Sequence, residues 1–307
     1  MSSSDESQPA ASPDLGPRFA ALVEYSSDII TLLDATGTIR YASPAVARIL
    51  GYPAETNVGN SVFNLIHPDD GERVRAALAD LNTRPDGVER IELRLEMAGG
   101  RWCHVESIAS NRMSDPAVRG IVVNSRDVTE QVAAMEALIH AAHHDPLTGL
   151  PNRTLLVDRL GHALARAGRS RREVAVLFLD LDGFKAVNDR FGHRIGDEVL
   201  VETGRRLLVT VRESDTVARQ GGDELVVVAE DLAMPEEAIG LAHRLLEEIG
   251  RPFPLSGATA EISACAGVAV SAHAAPEVMI DAADTALYQA KTEGPASVVL
   301  RQVHEPP

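Results

Sequence analysis

Apolar residues recur along this chain with two different periods, and the change of period divides it. Residues 29–33, 39–42, 90–95, 102–108 and 120–125 are short runs in which apolar and polar side chains tend to alternate. Alternation predicts an antiparallel sheet with one buried face. Residues 34–37 form a turn between the first two runs. Residues 44–50 read as a short helix closed by Gly51, since glycine accepts the positive φ that ends a helix. From 19 to 129 the mixture is that of an α+β domain.

Beyond it the period lengthens. Val128, Val132, Met135, Ile139 and Ala142 fall at intervals of three and four, the spacing of a helical seam. Two copies could pair along it as a short parallel coiled coil, or one amphipathic helix could lie on its own domain. Asp145-Pro146 reads as an N-cap with proline at the first helical position. Residues 152–167 form an amphipathic helix with Leu155, Leu156, Leu160 and Leu164 on one face. Residues 174–179 are apolar throughout, a buried strand whose end surfaces at Asp180-Leu181-Asp182. A loop and helix run through Asn188, followed by a helix over 197–211 for which Asp197 takes the N-cap place. Residues 216–218 and 225–228 read as strands joined by a hairpin at Gly221-Gly222.

With 307 residues the chain has length for two domains, each with a core. Its formal net charge of −16 argues against a general nucleic-acid or anionic-membrane partner, which clustered lysine and arginine would serve. An acidic nucleotide enzyme fits that charge, because a metal carries the positive charge locally. Cys103 and Cys265 fall in different predicted domains and read as buried thiols. No run reaches the length of a membrane span and no basic-then-apolar leader opens the chain, so the expectation is a cytoplasmic protein. Residues 1–16 and 302–307 read as tails.

Two acidic sites bear on chemistry. Asp223-Glu224 follows the hairpin glycines directly, and two carboxylates crowded at a turn repel until something offsets them. A divalent cation does so where phosphate is the substrate, although an isolated acidic turn is ordinarily just solvated. If the strand ending at Asp180 neighbours the hairpin, these carboxylates supply what Mg²⁺ takes alongside phosphate oxygens. His140, His143 and His144 also have metal-like spacing, but the adjoining Asp145 is taken up by the cap.

Gly221-Gly222-Asp223-Glu224-Leu225, together with residues 144–153, 180–189, 191–197 and 283–291, resembles the GGDEF domain, the catalytic module of diguanylate cyclases. The resemblance covers about half the chain. It implies a palm-like central antiparallel sheet flanked by helices over residues 145–301. It implies condensation of two GTP into cyclic di-GMP, with release of two pyrophosphates, by a homodimer whose sites face each other. Asp180, the Leu181 carbonyl, Asp223 and Glu224 would hold Mg²⁺ or Mn²⁺, with Asp223 taking the proton of the attacking hydroxyl. Asn188 and Asp197 would read the guanine edge, whose donors adenine arranges differently. Phe184, Lys185, Gly221 and Gly222 would border the triphosphate, and His193 would lie near the nucleotide. Arg219 and Lys291 would offset phosphate charge. Arg212 and Asp215 match, by their offset from the hairpin, the family's site for inhibition by cyclic di-GMP.

The chain departs from that pattern at two places. Leu225 stands where the family has phenylalanine, an apolar exchange that affects packing. Gly294-Pro295-Ala296-Ser297 replaces Gly-Arg-Asn-Arg, so the arginine that would assist Lys291 is missing at Pro295. A lost charged hydrogen bond costs about 1.5–3 kcal/mol, roughly a ten- to hundredfold loss of nucleotide affinity. The alternative is therefore a degenerate module that binds GTP or cyclic di-GMP and signals without turnover. Residues 17–129, through Ile66-His67-Pro68-Asp69-Asp70 and Arg126-Asp127-Val128-Thr129, resemble a PAS sensory domain, joined to the second domain by a connector at 130–144. No PAS ligand is assigned. There is no flavin-type Asn-Cys-Arg site; His67 and His104 are haem-ligand candidates only in the loosest sense, since such histidines ordinarily close a loop (His67) or are packed or solvated on a strand (His104).

Overall fold

Strand alternation and helix periodicity place most strands of this chain in two separate five-stranded sheets, each with its own helices. The structure, a computed structural model, describes residues 15–304 apart from 171 and 257. Residues 1–14 and 305–307, most of the two expected tails, lie outside the described residues. Leu15 and Gly16 belong to a helix and Gln302 to a strand, so the expected tail bounds take in residues of regular structure. The chain divides into the units Met1–Glu136 and Ala137–Pro307.

The first unit opens with helix α1 (Leu15–Glu24), strands β1 (Ile29–Leu33) and β2 (Ile39–Ala42), and helix α2 (Ala45–Ile49). Two 3-10 turns, Ala54–Asn57 and Val62–Asn64, lead to helix α3 (Pro68–Thr83). Strands β3 (Val88–Glu96), β4 (Trp102–Arg112) and β5 (Gly120–Asp127) follow. The sheet order is β2-β1-β5-β4-β3 with every neighbouring pair antiparallel. Its covered face buries Ile29, Leu33, Leu93, Leu95, Cys103, Val105 and Ile121, as alternation demands. An apolar cavity of about 100 Å³ lies inside this core, with Leu33, Phe63, Leu78, Ser107 and Ser125 among its walls. His67 caps α3, its Nδ1 accepting from the Asp69 amide, and its ring meets Trp102 edge-on. Asp70 is buried, and the hydrogen bond from the Arg94 guanidinium holds its carboxyl down at about 2.

Helix α4 (Thr129–His143) begins where the Asp127 carboxylate accepts from the Thr129 amide. It buries none of its residues, and Met135, Leu138 and Ile139 are all more than half exposed.

The second unit continues with α5 (Arg153–Ser170), β6 (Glu173–Asp182), α6 (Phe184–Phe191) and α7 (His193–Thr210). Next come β7 (Thr216–Gly221), β8 (Glu224–Leu232), α8 (Glu236–Gly250) and the small pair β9 (Phe253–Leu255) and β10 (Ala258–Ala260). The unit ends with β11 (Ser263–Ser271), α9 (Pro276–Glu293) and β12 (Val298–Gln302). The main sheet runs β12-β11-β6-β8-β7, antiparallel except for the parallel β11–β12 edge. Both faces are covered, which is why 174–179 is apolar throughout. Ala175, Leu177 and Leu179 of β6 join Val227 of β8 in a core with α7 and α8. Val174, Val176 and Phe178 join Val226 and Val228 in a second core with α5 and α9.

Two helix starts differ from the sequence reading. Asp145-Pro146 begins a turn, with Asp145 Oδ1 accepting from the Thr148 amide and hydroxyl at 2.9 and 2.7 Å. The helix waits for Asn152, whose side chain accepts from the Thr154 and Leu155 amides. Asp197 is not an N-cap but the fifth residue of α7. Gly192, at φ 86°, breaks α6 from α7 ahead of the expected cap position, and α7 starts immediately after it.

Gly267 sets how closely α9 approaches the sheet. A Cβ there would stand 2.1 Å from both the Ala283 carbonyl oxygen and the Leu287 amide nitrogen, backbone atoms that cannot give way. Gly267→Ala is therefore expected to destabilise the second unit by about 1–3 kcal/mol or more, measured by urea unfolding of the full chain. Parental stability would show that α9 has slack over β11.

Candidate active site

The acidic residues meet because of strand register and side-chain parity. In the antiparallel β6–β8 pair, Asp180 stands directly opposite Glu224, next to the Leu179–Leu225 pair. Alternation turns Leu179 and Leu225 into the core under α7 and α8 and leaves Asp180 and Glu224 on the α9 side. The β6–β8 pairing ends there, whereas β11 stays beside β6 as far as Asp182, opposite Ser263. Gly222, at φ 54°, turns the β7–β8 hairpin and delivers Asp223 next to Glu224.

Crowding and burial show in the acidities. Burial, then the Asp180 carboxylate, pushes the Asp223 carboxyl above its ordinary range. Burial also raises Glu224, followed by the charges of Asp180, Asp284 and Asp223. The offsetting cation is Lys291 on α9, whose Nζ lies 2.7 Å from Asp180 Oδ2. Although burial works against its charge, the acids Asp180, Asp223 and Glu224 raise its pKa, so it stays protonated. Asp284 is absent from the sequence reading as a site residue. It stands seven residues before Lys291, on the same face of α9, and that spacing was the available signal.

This donor chemistry suits a hard cation: oxygen ligands only, partly buried, with repulsion that Lys291 and, at Asp223, Arg219 partly offset. It is an open set and not a cage. Among the described residues no group of three or more His, Cys, Asp or Glu is placed to hold a metal ion by itself. Mg²⁺ in nucleotide sites takes one or two carboxylates and completes its shell with phosphate and water, so Asp180 with Glu224 or Asp223 fits that need.

Arg219, expected beside phosphate, is engaged in the protein. Its NH1 meets both Asp145 carboxylate oxygens at 2.9 and 3.0 Å, and its Nε and NH2 donate to the Gly222 carbonyl. The guanidinium thus clamps the hairpin to the turn at 145–150. Burial opposes ionisation of Asp145, but hydrogen bonds from Thr148 and Arg219 hold its carboxyl below the usual range.

The remaining expected residues lie on neighbouring elements. Phe184 and Lys185 open α6, and His193 and Asp197 lie in the first turns of α7. Asn188 packs so closely on Gly196 that a Cβ there would be 1.9 Å from its Oδ1, which brings Asn188 beside those same turns. Arg212 and Asp215 lie apart, in the connection from α7 to β7. Asp215 accepts from the Arg212 and Glu230 amides at 2.9 and 3.1 Å, next to a cavity of about 30 Å³ that Glu237 and Arg244 also line. His140 and His144 stack ring on ring at 4.1 Å, while His143 Nδ1 pairs with the Ile139 carbonyl. The three imidazoles share no common point.

Comparison with known proteins covers both units. Residues 142–297 match the family model described as diguanylate cyclase, GGDEF domain, and residues 23–133 match the PAS fold. A bifunctional diguanylate cyclase/cyclic di-GMP phosphodiesterase, MucR of Pseudomonas aeruginosa, is 46% identical over 169 residues, 54% of this chain and 24% of MucR. The diguanylate cyclase TpbB of the same species is 42% identical over 173 residues, 55% of this chain and 40% of TpbB. The chain thus spans well under half the length of these relatives. A solved structure comprising only the GGDEF domain of TpbB superposes with a TM-score of 0.50 at 42% identity, covering 52% of this chain and 94% of that one.

The raised carboxyls carry a stability signature. A group whose folded pKa is raised is best tolerated when protonated, so its strain is absent at acid pH and sets in as pH rises through the folded value. Asp223→Asn and Glu224→Gln should each raise Tm by about 2–4 °C at neutral pH, with the gain vanishing below the ordinary carboxylate range. Calorimetry across pH checks this; an unchanged or lowered Tm at neutral pH contradicts the repulsion.

Proposed function

The chain belongs to the GGDEF diguanylate cyclase family, and from that premise we propose that it condenses two GTP into cyclic di-GMP under control of its PAS unit. The observation that carries this reading is the pairing of Asp180 with Glu224 across β6–β8, with Asp223 at the adjoining tip and Lys291 bonded to Asp180. A cation with these properties would be held by Asp180, the Leu181 carbonyl, Asp223 and Glu224. When bound, Mg²⁺ or Mn²⁺ supplies charge neutralisation at the phosphates and acidifies the attacking hydroxyl.

The chain's own groups do the rest. Asp223 accepts the proton of a ribose 3′-OH. The O3′–Pα bond of a second GTP forms as the bond from Pα to the bridging oxygen breaks, and pyrophosphate departs toward Lys291. Arg219 contributes by bracing the hairpin against Asp145. Phe184, Lys185, Gly221 and Gly222 border the triphosphate, with His193 nearby, and Asn188 and Asp197 accept the guanine donors. A second attack, from the other nucleotide, closes the ring and releases the second pyrophosphate.

One domain holds one GTP in this reading, so the working unit is a homodimer. The exposed Met135, Leu138 and Ile139 of α4 offer the pairing face. Residues 17–129 act as sensor, 130–144 as connector and 145–301 as cyclase. Arg212 and Asp215 take product as a brake. The second reading, a module that binds GTP or cyclic di-GMP without turnover, is favoured by one residue: Pro295 leaves Lys291 without the arginine expected beside it.

Purified protein given GTP and Mg²⁺ should accumulate cyclic di-GMP, and binding without product would favour the second reading. Asp180→Ala and Glu224→Ala should each reduce turnover to below about a hundredth of the parent rate with the melting transition retained. Either variant working at the parental rate would remove its carboxylate from the site. Arg212→Ala should relieve inhibition by added cyclic di-GMP, and unaltered inhibition would take that arginine out of the brake.

A further inference from the structure

We propose that Cys265 is a positioning residue for this reaction, anchoring the turn after α9 and thereby holding Lys291 on the acidic end of β6. The inference rests on the cyclase reading for the role of Lys291. Cys265 is the third residue of β11, register partner of Asp180, and 1% exposed. Its sulfur reaches three oxygens from two other places in the unit. It lies 3.4 and 3.6 Å from the carboxylate oxygens of Asp182 on β6, and 3.3 Å from the Gly294 carbonyl. Asp182 is tied to the same strand a second time, by the Ser263 hydroxyl at 2.7 Å from Oδ2. The side chain of this second aspartate is therefore held on β11, while Asp180 pairs with Lys291.

Gly294 ends α9 at φ 126°, a conformation that glycine reaches without strain. It follows Lys291 by three residues, so a displacement of the turn moves the last turn of the helix. The far end of the turn is pinned by the Ala266 amide donating to the Ser297 carbonyl at 2.9 Å. The thiol thus bridges β6 and the near end of a turn whose far end is already fixed to β11. In this turn Pro295 is exposed and carries no charge, so the phosphate end of the site depends on where Lys291 stands. One sulfur touching both the β6 terminus and the α9 terminus sets the spacing between Asp180 and Lys291.

A double-mutant cycle tests this. Binding of the non-hydrolysable analogue α,β-methylene-GTP with Mg²⁺ is measured by calorimetry on the parent chain, Cys265→Ala, Lys291→Ala and the double variant, with melting curves for each. Cys265→Ala is expected to weaken binding about tenfold, and the double variant to bind no more weakly than Lys291→Ala, because residues acting through one group do not add. Cys265→Ser, whose hydroxyl can donate its one proton to Asp182 or to the Gly294 carbonyl, should recover most of the loss. Should the alanine variant not fold, Cys265→Val, similar in volume and without a donor, replaces it in the cycle. Parental affinity in the thiol-free variant, losses that add in the double variant, or a lowered Tm with unchanged affinity would each overturn the proposal. A parent that binds the analogue yet forms no cyclic di-GMP defeats the cyclase reading while the cycle still decides the positioning. A parent that binds nothing defeats both.

Discussion

Repulsion among carboxylates at one corner of the second sheet is the constraint around which this unit is arranged. Asp180 and Glu224 face each other on adjacent strands, Asp223 adjoins them, and Asp284 adds its charge from α9. Burial makes the charges of Asp223 and Glu224 less favourable than they would be in water. A corner built for stability alone would carry amides or apolar groups there. Acids kept together at a partly buried strand end, with one lysine between them, are the arrangement expected of a site that awaits cations and phosphate.

The scaffold meets that constraint by rigidity on both sides of the sheet. From Ala175 onward the odd-numbered β6 residues lock into the core under α7 and α8, and the apolar even-numbered ones into the core with α5 and α9. The strands can neither rotate nor slip without exposing a whole apolar row. Close packing of α9 over Gly267 then fixes the helix that carries Lys291 and Asp284. On the far side, Arg219 ties the hairpin to Asp145, so the turn following α4 and the acidic tip share one ion pair.

The first unit and the connecting helix show how differently two parts of one chain can be legible. The strands of the first unit follow from alternation, because each sheet face has one environment and period two is a local property. The seam on α4 is equally legible as a period, yet every one of its apolar residues is exposed or half-exposed. A period identifies a face and not what covers it. Asp145 and Asp197 show the converse. Each looks like a helix cap by residue type, but Gly192 and Asn152 decide where helices begin, because backbone conformation at a break outweighs a side chain's preference.

The order of residues alone determined the two-domain division, the apolar strand ending in carboxylates, the glycine hairpin and the motif set that marks the cyclase family. All of these are properties of neighbours along the chain. Only the tertiary structure decided that Asp180 opposes Glu224, that Arg219 serves Asp145, and that Asp182 turns to Ser263 and Cys265. The side-chain bonds among these pairings span 74, 81 and 83 positions of sequence. They are set by strand register and helix packing, which depend on many distant apolar contacts at once and leave no mark on any short stretch of sequence.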